Sequence, residues 1–208
     1  MILDYSMMQW VLSIVVGISL SRFINTVALM GRKKNRIKFD FLLVSILFAT
    51  TTNMIHWWFN SPDYFSNIEG KYVPYMFVFL VIIFYAIALE SLLPSLSELE
   101  SADTVDFREI YFHQKDFFYL AMATIGLIIV GLYILYPEVE GLAFGLESKT
   151  IEIPVLVIVG IILPVILIIS DNYYLHVFQT ILVLLGFTSQ VIKYATTMNQ
   201  VKKCYRLL

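Results

Sequence analysis

Two ionisable side chains, Arg22 and Glu90, stand inside long apolar runs, where a charge without a partner is costly and therefore marks a site or a pairing. A guanidinium fork can bond a carboxylate at two points, so the two could form a structural clasp, a gate, or a relay for protons or ions. Arg22 has a further option, snorkelling to the headgroups. A second group shares one helical face: Asn53 and His56 are three residues apart, and Thr52 and His56 four. With Thr50 and Thr51 they put polar atoms at the middle of an apolar run. They could line a conduit or hold a proton on His56, since an imidazole with an ordinary pKa of about 6.5 suits a switch. The plainer expectation is hydrogen bonding, either back to the helix's own carbonyls or to a neighbour, with Ser189 and Gln190 at a matching level on the last run. Ser13, Gly17 and Ser21 recur every four residues, a small-residue pattern that permits close helix packing within the chain or between copies. Gly126 and Gly131 offer the same on a later run.

No signature of a reaction accompanies these groups. The chain has no His-Glu-x-x-His, no Gly-x-Ser-x-Gly elbow, no phosphate-binding glycine loop and no Cys/His cluster. His56, His113 and His176 are expected at different depths, which argues against a shared metal, and no cofactor is expected. The single cysteine, Cys204, allows no intrachain disulfide and leaves the redox compartment open. A net charge of −2 is too small to suggest a nucleic-acid partner.

The elements that must position these residues are membrane spans. At 59% hydrophobic and 14% charged, the 208-residue chain is far more apolar than a soluble domain, in which about a quarter of residues are charged. A span needs roughly 20 apolar residues. Six runs qualify, at about Met8 to Met30, Phe41 to Phe59, Val73 to Leu93, Phe117 to Tyr136, Ile153 to Ile169 and His176 to Ala195. The first has Asp4 where a signal peptide carries basic residues, so it should remain in the mature protein. The fifth carries Pro154 and Pro164, which predicts a kinked span or a reentrant segment. The fold class expected is an all-α bundle of about six spans in one integral membrane domain.

Lys and Arg in short loops set orientation. The densest basic cluster, Gly31 to Lys38, predicts a cytoplasmic first loop and therefore both termini outside. Lys202, Lys203 and Arg206 then run against the rule, and five crossings are the alternative. Trp57, Trp58, Phe59, Tyr64, Tyr72, Tyr75, Tyr133 and Tyr136 lie near one expected boundary, where aromatic rings favour the headgroup region. The segment Glu98 to Asp116 places acidic residues before Phe107, Ile110, Tyr111 and Phe112 at helical spacing, which predicts an interfacial amphipathic helix before the fourth span.

Counting inward from Met8 places Arg22 roughly 21 Å deep, and counting from Tyr75 places Glu90 roughly 22 Å deep, at about 1.5 Å per residue. The opposite charges share a level. Asp106-Phe-Arg-Glu-Ile-Tyr-Phe112 is similar to an Asp-hydrophobe-Arg-x-x-Tyr-Phe element of a family of small bacterial multi-pass inner-membrane proteins that have no established activity. Gly17 to Arg22, His56-Trp57-Trp58 and a His like His176 opening the last span resemble that family too. Where the family places basic residues before the last span, this chain has Asp171 and Asn172. The resemblance implies a bacterial inner-membrane location and no particular activity. The function expected is sensing or scaffolding without catalysis, in the lipid bilayer, through self-association or a membrane-protein partner. The alternative is a small channel or transporter with a narrow polar pathway through Arg22, Glu90, Asn53 and His56.

Overall fold

The structure, a computed structural model, describes residues 5–33, 36–66, 72–95, 99, 104–136 and 149–186. Helix α1 covers Tyr5–Arg32, α2 Phe41–Ser66, α3 Tyr72–Leu92 and α4 Phe107–Leu135. Helix α5 (149–169) joins Lys149–Val157 to Leu163–Ile169 through a π turn at Ile158–Ile162, and α6 covers Tyr173–Gly186. Among the described residues, Gln9–Arg32, Phe41–Asn60, Phe107–Leu135 and Ile151–Ile169 are long and apolar enough to cross a membrane. Met76–Leu92 and Tyr173–Gly186 are apolar but shorter.

The proline-bearing fifth run thus forms one of the four long apolar rods. In its π turn the Leu163 N–H donates to the Ile158 carbonyl, five residues back, and Pro164 follows directly at the start of the next α stretch.

The fourth helix corrects the expectation of a separate interfacial helix. Phe107–Leu135 is one uninterrupted element of 29 residues, ten residues longer at its start than the apolar run. Nothing between Asp116 and Phe117 breaks a helix. Asp106 starts it: its carboxylate Oδ1 accepts from the N–H groups of Arg108 and Glu109 at 3.0 and 3.4 Å, a cap typically worth about 1 kcal/mol. The aromatic stripe faces protein, with Phe107 buried beside Phe39 and Tyr111 buried beside His176 of α6.

A two-residue parallel bridge was not legible in the sequence. β1 (Ile37–Lys38) pairs with β2 (Val105–Asp106), Ile37 opposite Val105 and Lys38 opposite Asp106. Lys33 Nζ donates to the Leu99 carbonyl at 2.8 Å. Together these tie the basic connection after α1 to the segment before α4 at one end of the bundle. The core runs through Leu12, Leu42, Met54, Ile82, Leu89 and Tyr119, all at most 1% exposed.

Candidate functional site

At the β1–β2 end, α4 and α6 build a buried polar cluster. Tyr111, Lys115 and Tyr119 stand four residues apart, on one face of α4, and all are buried. His176, at 0% exposure, comes from the first turns of α6, which Asn172 starts by accepting the Tyr174 N–H on its side-chain oxygen at 3.1 Å. His176 Nε2 lies 2.8 Å from the Ser170 carbonyl. A carbonyl only accepts, so Nε2 carries the hydrogen, and in the neutral ring Nδ1 is an acceptor. Tyr111 Oη is 2.6 Å from Nδ1 and 2.8 Å from Tyr119 Oη. Tyr119 Oη lies 3.1 Å from the same Nδ1, so both hydroxyls converge on one acceptor. One tyrosine donates to Nδ1, the other donates to the first, and His176 donates to Ser170. The shorter Tyr111 contact favours the order Tyr119 to Tyr111 to His176.

Lys115 shares this end. Its ammonium donates to the Ile168 and Leu167 carbonyls at 2.7 and 3.3 Å and pairs with Asp116 and Asp171 at 3.2 and 3.3 Å. A cation on the last carbonyls of α5 answers the negative end of that helix. Asp171, in the turn between α5 and α6, is a partner of this buried lysine.

Tyr119 also borders an internal seam between α2, α3, α4, α5 and α6. A cavity of about 80 Å³ is lined by Asn53, Trp57, Tyr85, Gly126, Gly160 and Gln179 among others. A smaller one of about 20 Å³ shares Asn53, Tyr85 and Gln179 and adds Thr50, Tyr119 and Thr180. Trp57 donates to the Tyr85 hydroxyl. Gln179 meets the backbone carbonyl that Pro164 leaves open. Following the pattern of the π turn, the Val159 carbonyl would accept from the N–H of residue 164, which a proline lacks, and Gln179 Nε2 fills that role at 3.3 Å. Gln179 Oε1 is buried on the seam and has no bonding partner among the described residues.

The residues singled out from the sequence are distributed over three places. Arg22 on α1 and Glu90 on α3 meet as an ion pair in a lateral crevice. A double-mutant cycle on Arg22→Ala and Glu90→Ala should give a coupling energy above the roughly 0.5 kcal/mol of independent sites, and strict additivity of unfolding free energies would dissolve the pair. Asn53 lines the internal seam. Its amide donates to the Ala49 carbonyl of its own helix at 2.9 Å, as Thr50 does to Ile46 and Thr52 to Phe48, so the bonds found run within α2 instead of between spans. His56 stands beside Asn60, whose Nδ2 is 3.0 Å from Nδ1. Gln190 and Ser189 lie outside the described residues.

The small-residue stripe divides. Ser13 donates to the Gln9 carbonyl at 2.7 Å and accepts from Trp58 Nε1 at 3.2 Å, whereas Gly17 and Ser21 are exposed, and a Cβ on Gly17 would meet open space. Gly126 is the glycine that packing requires, because a Cβ there would lie 2.3 Å from the Gly160 carbonyl oxygen. Gly131 meets only the Phe77 ring, at an ordinary 3.8 Å.

Sequence reasoning missed the Tyr111, Lys115, Tyr119 and His176 cluster and Gln179. Its signal was present in the four-residue spacing on α4 and in His176, Gln179 and Thr180 at offsets of zero, three and four on α6. Among the described residues no group of His, Cys, Asp and Glu side chains has the makings of a metal centre. No family model, curated protein or solved structure matches this chain.

Proposed function

We propose that this chain is a multi-pass protein of the bacterial inner membrane, crossing it six times with both termini outside, and that it senses or scaffolds without catalysis, through a membrane partner or copies of itself. The outer helix faces support the bilayer as its solvent: Trp10, Ile14, Ile18, Leu127, Ile158 and Ile169 are all more than half exposed. Arg32, Arg36, Lys38 and Arg108 gather at the bridged end and favour it as the cytoplasmic one. The resemblance of Asp106 to Phe112 agrees with this location.

The observation that carries the non-transport reading is the dispersal of the polar groups. Arg22 holds Glu90 in the lateral crevice, His56 stands by Asn60, and of the pathway candidates Arg22, Glu90, Asn53 and His56 only Asn53 lines the internal seam. A narrow channel or transporter is favoured by a different observation, the tyrosine and histidine chain whose Tyr119 lines the smaller cavity, at about 20 Å³ above the roughly 10–15 Å³ that one water needs. Vesicles containing the purified protein and a pH-sensitive dye separate the two. The sensing or scaffolding reading expects no proton flux above that of empty vesicles, while flux abolished by Tyr119→Phe would replace it with the channel.

The topology has its own test in the one thiol. A membrane-impermeant maleimide added to intact spheroplasts should label Cys204. Labelling only after lysis would replace the six crossings with five.

A further inference from the structure

A crevice of about 520 Å³, open to the side of the bundle, lies between α1, α3 and α4 and is lined by Val15, Arg22, Ile87, Glu90, Ser91 and Phe117, among others. Its walls are apolar except for the ion pair and Ser91, whose hydroxyl donates to the Ala88 carbonyl of its own helix at 2.8 Å. The side chains of Arg22 and Glu90 keep 42% and 28% exposure, so both reach the crevice, although Glu90 Oε2, the oxygen that meets Arg22, is itself buried. A guanidinium carries five N–H donors, and one carboxylate takes two of them at most in a fork. Among the described residues Glu90 is the one acceptor that Arg22 meets. Ordinary protein surfaces leave such donors to water. Glu90 lies two residues before the end of α3, and a lateral opening at that level faces lipid, whose polar atoms become the available acceptors.

Resting on the membrane reading above, we infer that the crevice binds one zwitterionic phospholipid carrying a primary ammonium. Its phosphate bonds the free donors of Arg22, its ammonium bonds the Glu90 carboxylate, and an acyl chain lies along Val15, Ile83, Ile87 and Phe117. Charge complementarity selects this class. The pair is a dipole with no net charge, so an anionic headgroup gains at Arg22 and loses at Glu90, whereas an ammonium phosphate matches both ends. A trimethylated headgroup keeps the charge but has no N–H to donate.

The test titrates the full-length protein in detergent with phosphatidylethanolamine, phosphatidylcholine, phosphatidylglycerol and diacylglycerol, reading bound lipid by native mass spectrometry. Phosphatidylethanolamine should bind about tenfold more tightly than the others, the worth of one charge-assisted hydrogen bond. Glu90→Gln should erase its advantage over phosphatidylglycerol, and Arg22→Gln should bring both down to diacylglycerol. Equal occupancy by all four lipids, or a preference for phosphatidylglycerol, overturns the inference.

Because Arg22→Gln strands a carboxylate and can unfold the protein, the unsubstituted chain supplies a second readout. Phosphatidylethanolamine with a photoreactive acyl chain should mark peptides containing Ile83, Ile87 or Phe117 and be displaced by unlabelled phosphatidylethanolamine. Labelling spread evenly over the outer helix faces overturns the site. A protein that stays monodisperse without detergent would instead remove the membrane reading itself, so the two failures are distinguishable.

Discussion

Replacing His176 with leucine should lower the unfolding free energy in detergent by about 3 kcal/mol, since each buried polar group left unpaired costs roughly 1–3 kcal/mol and two are stranded. These are the part-buried Ser170 carbonyl, which loses the Nε2 donor, and the bonded pair of Tyr111 and Tyr119 hydroxyls, which loses Nδ1 and keeps one hydrogen without an acceptor. Leucine is close to histidine in volume, so the loss is one of hydrogen bonds and not of packing. The diagnostic is the background dependence. In a chain that already carries Tyr111→Phe and Tyr119→Phe no hydroxyl remains to strand, and His176→Leu should cost less there by roughly 1 kcal/mol or more. An equal cost in both backgrounds would mean that the three side chains do not act as a network.

That network shows where reading from sequence stops. Arg22 and Glu90 could be matched in depth because a helix rises regularly, and the structure joins them. The His176 cluster needs α4, α6 and the Ser170 turn together, a coincidence of residues up to 65 positions apart that no local period encodes. Helix ends were legible only where polarity changes with them. The apolar run of the fourth span begins at Phe117, but the helix begins where Asp106 caps it, and Tyr111 and Lys115 in between look like loop or interface until a partner buries them. Small residues are ambiguous for the opposite reason. The spacing of Ser13, Gly17 and Ser21 is as regular as a packing seam should be, yet among the described residues Gly17 has nothing opposite it, while of the second pair the sequence offered, Gly126 and Gly131 five residues apart, Gly126 is the position another backbone touches.

Gly126 therefore carries the second large effect. Its own α4 backbone approaches α5 at Gly160, and an added Cβ would sit 2.3 Å from the Gly160 oxygen, 2.7 Å from its carbonyl carbon and 3.0 Å from Ile161 Cγ1. Two of those atoms are backbone in the π turn and have no rotamer with which to yield. Gly126→Ala must push the helices apart locally, which should cost about 3 kcal/mol, the upper end of what overpacking a close-packed site costs. The displacement would also open the contact of Gln179 with the Val159 carbonyl, because that carbonyl lies one residue from Gly160 on the same π turn. Gly131→Ala serves as the control: its nearest neighbour is the Phe77 ring at 3.8 Å, so the added methyl fits, and the better helix propensity of alanine should leave stability unchanged or raise it by up to about 1 kcal/mol. Measured side by side by thermal unfolding in one detergent, the two alanine variants should part clearly. If they lose stability equally, the close crossing of α4 and α5 at Gly126 is wrong, and with it the reason the π turn sits opposite that glycine.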